Sequence, residues 1–487
     1  MTAALPVLIL LTSLVPSIAT FFLREDQRGW RNGLSVGGSI VKLALVAFML
    51  SEVAAGAVYE TRLALAPGLF LLLQVDALAL LFVTLSAFLW LLTNIYAIAY
   101  LGDGPNLSRF FGFFSLCVFA TTGIAFSGTL ISFFVFYEIL TLSTWPLVVH
   151  KGDPKSLRAG AVYLAYALPA SVALLVAIVW LESQTGPIEF DLPADLRRHD
   201  DATLRAIFVL FVAGLGVKAA LVPLHGWLPG AMAAPAPVSA LLHAVAVVKA
   251  GAFGIVRVIY DVFGPDLVAD LGLGLPLAVL ASFTILYGSA RALAQTEIKP
   301  RLAFSTVSQV SYIVLGAALA GPVATIGGLV HLVHQGLMKI TLFFCAGVFA
   351  ERAGAERIDD LDGIGRHMPW TATAFTVGAL GMMGVPPIAG FVSKWHLGLG
   401  GLEVGAPWVV AVLAGSALLN ALYFLPLVYR MWFLDRPAPE APLERPVALI
   451  APAVVTATAA LLAGLFAATA FSPLGWATLI AERFYFP

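Results

Sequence analysis

The chain contains a long succession of apolar runs, each close to the roughly 20 residues that an α-helix needs to cross a bilayer. Apolar residues make up 60% of its 487 residues, and the mean hydropathy is +0.95. One globular core could not hide so much apolar surface, so we expect an all-α polytopic membrane protein. Fourteen runs are predicted to span the membrane: 4–23, 33–52, 75–100, 110–127, 129–148, 160–182, 206–222, 236–257, 272–292, 302–320, 323–350, 372–395, 407–432 and 447–470.

Little of the chain is predicted to lie outside the lipid. The longest polar insert, 182–205, is too short for a domain, so residues 1–487 are expected to form a single membrane domain. The first apolar run has no basic residue ahead of it, which favours a first span over a cleaved signal peptide. A net charge of −1 offers no basic surface for nucleic acid. Cys117 and Cys345 stand singly in apolar runs, and the sequence predicts no metal site and no cofactor.

The cations between the spans predict the orientation of the chain. The loops on one side hold sixteen arginines and lysines: Arg24, Arg28, Arg31, Arg109, Lys151, Lys155, Arg158, Arg291, Lys299, Arg301, Arg352, Arg357, Arg366, Arg430, Arg436 and Arg445. The other side holds six: Arg62, Arg197, Arg198, Arg205, Arg257 and Arg483. Because cytoplasmic loops are enriched in lysine and arginine, both termini are expected outside, in a bacterial cytoplasmic membrane.

The remaining five cations lie within spans, and all are lysines: Lys42, Lys218, Lys249, Lys339 and Lys394. A desolvated lysine can lose roughly 3–5 pKa units and exchange a proton near neutrality, whereas arginine stays charged. A charge near the midplane costs about 2.5–3.5 kcal/mol, so these lysines are expected to face the bundle interior. A lysine near a helix end can instead extend its charge to the interface. Lys42 has no acid or histidine nearby, so a purely structural role is equally acceptable and it is left out of the predicted site.

Other titratable residues in the apolar runs offer partners to these lysines. Glu138 is the carboxylate well inside a span, and Lys218 is its expected partner, although such a pair can also serve only to hold helices together. At about 100° per residue, His331, His334 and Lys339 can line one helix face. The predicted proton-translocation residues are Glu138, Lys218, Lys249, His331, His334, Lys339 and Lys394, with His225 and His243 as secondary candidates.

Prolines interrupt two spans beside a lysine. Pro223 follows Lys218, and Pro386 and Pro387 precede Lys394. Proline frees a helix carbonyl, which is tolerated at membrane depth only where protein or a water-filled cavity shields it. Both breaks have the sequence Val-Pro, followed by a glycine and an aromatic residue. They lie five spans apart, and because five is an odd number, a second copy of the repeat would have the opposite orientation in the membrane. The sequence therefore predicts two inverted five-helix repeats, 110–257 and 272–432, flanked by 1–100 and 447–487.

Six segments resemble the antiporter-like subunits shared by respiratory complex I, membrane-bound hydrogenases and multi-subunit Mrp-type cation/proton antiporters. They are FVFYEILTLSTWPLV (134–148), VKAALVPLHGWLPGAMAAPAPVSALLHAVAVVKAG (217–251), EIKPRLAFSTVSQVSYIVLG (297–316), HLVHQGLMKITLFFCAGV (331–348), IDDLDGIGRHMP (358–369) and GVPPIAGFVSKW (384–395). The second segment is highly specific.

This resemblance implies a fourteen-helix subunit with two inverted repeats and a central hydrophilic axis along which protons move. It assigns the glutamate of span five to Glu138, the lysines of spans seven and eight to Lys218 and Lys249, and the charged residue of span twelve to Lys394. His334 and Lys339 match the relay of span eleven.

By its length the chain most resembles the D-type membrane component of Mrp antiporters. The expected function is therefore proton translocation within a multi-subunit cation/proton antiporter. A proton-pumping subunit of complex I or of a membrane-bound hydrogenase is an alternative, as is the membrane subunit of an inorganic-carbon uptake complex. The expected partners are homologous and other membrane subunits, the bilayer, protons and a monovalent cation, but no nucleic acid.

An intramembrane enzyme is a different class of function, and an organic-solute carrier is another. Neither Gly-x-Ser-Gly nor His-Glu-x-x-His occurs, and no sizeable aqueous loop could bind a sugar nucleotide. The sequence therefore disfavours chemistry of its own, although the chain could belong to a proton-translocating oxidoreductase.

Overall fold

The computed structural model describes residues 4–66, 69–192, 195–437 and 442–486, most of which are helical. The helices up to residue 270 are α1 (Leu5–Phe21), α2 (Arg28–Ala54), α3 (Ala77–Leu101), α4 (Leu107–Phe126), α5 (Leu130–Val148), α6 (Pro154–Thr185), α7 (Asp201–Lys218), α8 (Trp227–Gly230), α9 (Ala236–Ala244), α10 (Val247–Arg257) and α11 (Pro265–Asp270). Those that follow are α12 (Gly274–Leu293), α13 (Ile298–Leu319), α14 (Pro322–Ala353), α15 (Ile364–His367), α16 (Pro369–Met383), α17 (Ala389–Glu403), α18 (Trp408–Phe433), α19 (Val447–Leu465) and α20 (Pro473–Ile480).

The polytopic all-α prediction is confirmed. Within the described ranges, eleven helices are long and apolar enough to cross a membrane, and α1 is a shorter apolar helix. Each predicted span overlaps one helix, or two helices separated by a break, and the predicted and observed ends differ by at most eight residues. The count of fourteen spans stays a prediction, because the helices of the first, seventh and twelfth spans are not among the eleven, in which 236–263 counts as one.

Local signals fix several helix ends. Asp153 and Asp200 accept hydrogen bonds from the backbone N–H groups of Ser156 and Thr203 at 2.6 and 2.9 Å, and so cap the N-termini of α6 and α7. Those N–H groups lower the pKa of both carboxyl groups from their ordinary values. At the other end of a long helix, Gly354 has a φ of 63° and ends α14 in the left-handed conformation that glycine adopts without strain.

Three predicted spans are divided. The helix of span seven ends at Lys218 rather than at 222, and residues 219–226 are not helical. Span twelve is α16 and α17, with Pro386 and Pro387 between them. Span eight was predicted as one helix over 236–257, but α9 ends at Ala244 and α10 begins at Val247. This third break contains no proline, so its sequence carried no signal for it.

An antiparallel hairpin precedes α3 and was not predicted. Its strands are β1 (Tyr59–Ala66) and β2 (Leu69–Val75), in a register that pairs Tyr59 with Val75. The backbone N–H of Gly128 donates to the carbonyl of Leu72 at 2.9 Å, which ties the hairpin to the start of α5. The sequence of β2 is almost wholly apolar, so it reads as an extension of the following span.

The chain divides into two compact units. Unit 1 comprises Met1–Leu91, Asp103–Ala220 and Val245–Pro276, and unit 2 comprises Leu92–Gly102, Leu221–Ala244 and Leu277–Pro487. In unit 1, α4 packs between α1 and α5, and α7 packs between α6 and α10. In unit 2, α14 is the central helix and contacts α9, α13, α16, α17 and α19. Because α14 is surrounded, all its residues from Ala324 to Phe349 are buried, including its polar ones.

A buried ion-pair cluster joins two elements of unit 1. The two Nη atoms of Arg257, at the end of α10, contact both carboxylate oxygens of Asp76 at 2.6 and 2.9 Å. Asp261 contacts the same guanidinium at 2.8 Å, and the Arg257 side chain is only 3% exposed. Asp76 also caps α3 by accepting from the N–H of Ala79 at 2.7 Å. This cluster fixes the start of α3 against the end of α10.

We predict that Arg257→Met strongly destabilises the protein, because it leaves two carboxylates without their cation. Breaking a buried pair typically costs roughly 3–5 kcal/mol. The measurement is the apparent melting temperature of the purified membrane complex. The matched control is Arg62→Met, whose side chain is 53% exposed and pairs with Glu60 and Glu189. Equal melting temperatures for the two variants would contradict the role given to Arg257.

Candidate functional site

Lys218 lies at the last turn of α7, where the predicted break begins. Its side chain is buried, its Nζ donates to the backbone carbonyl of Tyr137 at 2.7 Å, and it lies 3.2 Å from the centroid of the Tyr137 ring. The Tyr137 hydroxyl in turn donates to the carbonyl of Gly214 at 3.2 Å, so α5 and α7 are joined on both sides of this lysine. The ammonium is therefore held by a carbonyl and an aromatic face.

Glu138 follows Tyr137 but does not form the expected ion pair. Among the ion pairs of the described residues, none within 4.0 Å joins Glu138 to Lys218. The carboxylate instead accepts a hydrogen bond from the hydroxyl of Ser171 on α6, and the Glu138 side chain is half-buried. Lys218 thus contacts the turn of α5 that carries Glu138, whereas the carboxylate of Glu138 contacts α6.

Lys249 is fully buried near the start of α10, also in unit 1. Two residues later, Gly251 lies against the end of α7: a Cβ there would come within 2.7 Å of the carbonyl oxygen of Leu215 and of the carbonyl carbon of Lys218. Only glycine permits such a close approach. Gly251 therefore sets the spacing between the helix of Lys249 and the helix end of Lys218.

Lys339 lies in the buried centre of α14 in unit 2. Its Nζ donates to the carbonyl of Leu302 at 3.3 Å and to the hydroxyl of Ser305, both on the antiparallel helix α13. Lys339 is fully buried. Within the described part of the chain, no carboxylate forms an ion pair with it. Its acceptors are neutral oxygens, as for Lys218.

His331 lies two turns before Lys339 on α14. Its Nδ1 is 2.8 Å from the hydroxyl of Ser393 on α17, and its ring is 5.0 Å from the ring of Tyr312 on α13. Ser305 of α13 faces Lys339 of α14, and Tyr312 faces His331. Gln309 on α13 and Gln335 on α14 therefore lie between these two contacts. A polar layer therefore runs along the interface of α13 and α14 for about 12 Å, at 1.5 Å per residue.

Lys394 lies on α17, and its side chain bridges the break of span twelve to the end of α16. Its Nζ donates to the carbonyls of Met382 and Met383 at 2.7 and 3.1 Å, at the C-terminal end of α16. The same Nζ is 5.5 Å from the centroid of the Tyr312 ring. The side-chain amide of Asn420 also donates to Met382, at 3.0 Å. The carbonyls freed by the break are thus covered by protein donors, as the sequence argument required.

The other three histidines of the predicted site are in unit 2 as well. His334 is fully buried on α14. His243, at the end of α9, is also fully buried and its ring lies 4.7 Å from the ring of Phe343. His225 is half-buried beside the first break, with its ring 5.1 Å from that of Tyr287. Unit 1 therefore holds Glu138, Lys218 and Lys249, whereas the four histidines, Lys339 and Lys394 belong to unit 2.

Several polar contacts of these residues were missed by the sequence argument: Tyr137, Ser305, Tyr312, Ser393 and Asn420. Serine and tyrosine are common in apolar helices, so their type alone carries no signal. Carbonyl acceptors such as those of Tyr137 and Met382 have no signal in the sequence at all.

The described residues contain no group of three or more histidine, cysteine, aspartate or glutamate side chains placed to hold a metal ion. What the arrangement offers is a set of buried lysines and histidines, groups that can hold or release a proton. Lys218, Lys339 and Lys394 donate to neutral oxygens. The fold and this set define a class: a polytopic membrane subunit with ionisable groups buried inside its helix bundle.

Comparison with known proteins gives the family. The chain belongs to the NADH:quinone oxidoreductase/Mrp antiporter transmembrane family, whose model matches residues 127–419. It is 36% identical to the N-type component of NADH-quinone oxidoreductase from Desulforudis audaxviator, over 92% of this chain and 90% of that protein. It is 26% identical to the D-type component of the Na(+)/H(+) antiporter from Bacillus subtilis, over 81% of this chain and 80% of that protein. The predicted resemblance to antiporter-like membrane subunits is confirmed.

The fold is shared with a solved structure. A chain of the Mrp complex from Dietzia sp. DQ12-45-1b matches with a TM-score of 0.85 and 24% identity, covering 99% of this chain and 98% of that one. Several other curated relatives are longer, and this chain spans about half of their length.

We predict that Gly251→Ala impairs the site, because the new methyl group pushes α10 away from the turn of Lys218. The expected result is a lower melting temperature together with reduced transport by the purified complex. The control is Gly33→Ala on α2, where nothing lies within 4 Å of the added carbon and alanine favours the helix by roughly 0.5–1 kcal/mol. Wild-type behaviour of Gly251→Ala would show that the close approach is not required.

Proposed function

We propose that this chain is the proton-translocating membrane subunit of a multi-subunit complex. The observation that carries this proposal is the setting of the buried lysines. Lys218 and Lys339 donate to backbone carbonyls and a hydroxyl inside the helix bundle, and neither forms an ion pair among the described residues. A lysine used only as structural glue gains most from a fixed carboxylate, whereas neutral acceptors leave the proton free to depart.

Glu138 is proposed as the switch in unit 1. It lies one residue from the carbonyl that holds Lys218, so its charge acts on the ammonium without being locked to it. While the carboxylate is ionised, the protonated lysine is favoured. When Glu138 is neutralised or moves away from Lys218, the neutral amine is favoured and the proton can pass to Lys249.

In unit 2, the proposed relay follows the polar layer between α13 and α14. Lys339 and His331 mark its ends, and His334 and Gln335 lie between them on α14. Neither side-chain amide atom of Gln335 has a hydrogen-bond partner among the described residues, and the same holds for both ring nitrogens of His243. Buried polar groups are nearly always satisfied by protein or ordered water. We therefore place water beside Gln335 and His243, where it would connect the titratable groups.

Two site residues are proposed as entry and exit points for protons between subunits. Glu138 and Lys394 are only half-buried in this chain, whereas Lys218, Lys249 and Lys339 are fully buried. A charge that is half-exposed in an apolar surface needs a polar partner. We propose that homologous or smaller membrane subunits supply it, and that Glu138 and Lys394 end a proton path that continues into those subunits.

The finer placement of the chain remains part of the proposal. The two inverted repeats, 110–257 and 272–432, would each supply one broken helix, in spans seven and twelve. The chain is an integral membrane protein, and the excess of cations on one set of loops supports a bacterial inner membrane with both termini outside.

Two assemblies fit this function. A cation/proton antiporter, with the chain as its D-type component, is supported by the similarity to the Bacillus subtilis antiporter protein over most of both lengths. A quinone-reducing or hydrogenase complex is supported by the higher identity, 36%, to the N-type oxidoreductase component. Identifying the partners in the purified native complex distinguishes the two assemblies. Iron–sulfur and quinone-reducing partners would identify an oxidoreductase, whereas small membrane subunits alone would identify an antiporter.

The proposal predicts that Lys249→Arg abolishes proton movement almost as completely as Lys249→Ala. Arginine keeps the charge but does not release its proton. We expect the rate to fall by roughly 100-fold or more, the range that a proton-transferring group contributes. The measurement is acidification of vesicles containing the assembled complex, with the exposed Lys151→Arg as control. Full activity of Lys249→Arg would mean that Lys249 supplies only a fixed positive charge.

A further prediction concerns dependence on partners. The purified chain alone, reconstituted into vesicles, should show no sodium- or potassium-driven proton exchange, whereas the complete complex should. The physical reason is that Glu138 and Lys394 require polar partners from neighbouring subunits. Robust exchange by the lone chain would contradict the proposed path between subunits.

A further inference from the structure

Lys42 lies outside the site described above, in the middle of α2. It is fully buried, although fourteen residues, or about 21 Å of helix, precede it and twelve follow it in the same helix. This position is close to the depth at which a charged residue costs most in a bilayer. The helices around it, α1 and α4, belong to unit 1.

The contacts of Lys42 are all neutral. Its Nζ donates to the hydroxyl of Thr122 on α4 at 2.5 Å and to that of Ser13 on α1 at 3.3 Å, and it lies 5.2 Å from the ring of Trp90. Each hydroxyl donates its own hydrogen to a helix carbonyl, Val118 for Thr122 and Leu10 for Ser13, so a lone pair faces the lysine.

Charged groups on the helices around Lys42 do not pair with it. Helix α1 carries no titratable residue, and the described ion pairs include none with Lys42. The other titratable groups of α2 are Arg28, Arg31 and Glu52, and those of α4 are Arg109 and Cys117. The part of α3 that belongs to unit 1, 77–91, carries none. Its protonation is therefore governed by hydroxyl groups, an aromatic ring and the low dielectric around it.

A polar stripe connects Lys42 to one end of α2. Arg31, Ser35, Ser39 and Lys42 are spaced four, four and three residues apart, which places them on the buried face of the helix. Antiparallel α1 adds Ser13, Ser17 and Thr20, all fully buried, to the same layer. The Oγ1 of Thr20 has no hydrogen-bond partner among the described residues. An orphaned hydroxyl in a polar layer marks a position where water can bind.

The outer end of the stripe is an ion pair open to solvent. Arg31 is 3.6 Å from the carboxylate of Glu25, whose side chain is 52% exposed. Glu25 also accepts from the backbone N–H groups of Leu107 and Ser108 at 2.9 and 3.1 Å, so it caps α4 beside the stripe. An exposed carboxylate at the mouth of a buried polar layer can collect a proton from bulk water.

We propose that Lys42 is a second proton-binding site, served from the Glu25–Arg31 end by the hydroxyl groups of α1 and α2 and separate from the Glu138–Lys218–Lys249 set. In one direction the amine takes a proton from water in the stripe and becomes an ammonium, held by Ser13 and Thr122. In the other direction the ammonium returns that proton to the same water. This goes beyond the proposed function and rests on it only in taking the proton as the ion that moves.

The test uses the intact complex in vesicles, with proton transport measured across a range of pH. Lys42→Arg keeps the charge without releasing a proton, so it should lose most of the transport, as Lys42→Met should. Lys42→His keeps a group that titrates, near 6.5 rather than about 10.4 in water, and should retain transport with a pH profile displaced to lower pH by about one unit or more. The control is Lys155→Met, an exposed lysine in the first turn of α6, which should match wild type.

Two results would overturn the inference. If Lys42→Arg transports protons at the wild-type rate, Lys42 acts only as a fixed charge. If Lys42→His assembles and keeps the wild-type pH profile, no proton at this position limits transport. Failure of the proposed function is distinguishable, because in that case the wild-type complex would itself move no protons.

Discussion

Burying an ammonium group without a carboxylate is the constraint on which the organisation of this chain depends. Taking a lysine out of water is costly, and a carboxylate partner would recover part of that cost while holding the proton in place. The acceptors found instead are the carbonyl of Tyr137 for Lys218, the carbonyl of Leu302 and hydroxyl of Ser305 for Lys339, and two hydroxyls for Lys42. A neutral oxygen accepts a hydrogen bond from either the amine or the ammonium form, so neither form is trapped.

The two units supply these acceptors in different ways. In unit 1 the carbonyl of Tyr137 lies within α5, and it also accepts a bond from the hydroxyl of Thr141 at 3.0 Å. In unit 2 the acceptors of Lys394 are the last carbonyls of α16, which the break leaves without helix donors. The prolines of that break are exposed, whereas the carbonyls they free are covered by Lys394 and Asn420. Helix interruption therefore exposes backbone acceptors to a lysine rather than to lipid.

The sequence predicted those parts of the structure that depend on composition and on proline. Apolar run length gave the long helices to within about eight residues, and Val-Pro gave the breaks after Lys218 and before Ala389. The sequence did not predict the hairpin, because β2 and the following helix α3 are both apolar and no residue pattern marks the boundary between them. It also did not predict the break at Val245, because no proline is present there. It also paired Glu138 with Lys218, since an acid and a base are the only partners that residue types reveal. Backbone carbonyls take part in tertiary contacts that no residue type encodes.

The buried cations of the chain separate into two kinds by their surroundings. Arg257 is balanced by two aspartates, and Arg301 donates to the carbonyls of Tyr423, Leu293 and Gln295 at 2.9, 3.2 and 2.6 Å. A guanidinium stays charged and offers five donors in a fixed plane, so such sites are permanent clamps at helix ends. Lys218, Lys339 and Lys42 have fewer acceptors and no carboxylate partner among the described residues. Lys42 was indistinguishable from a structural lysine in sequence, and it joins the second kind because its acceptors, like those of Lys218 and Lys339, are neutral oxygens.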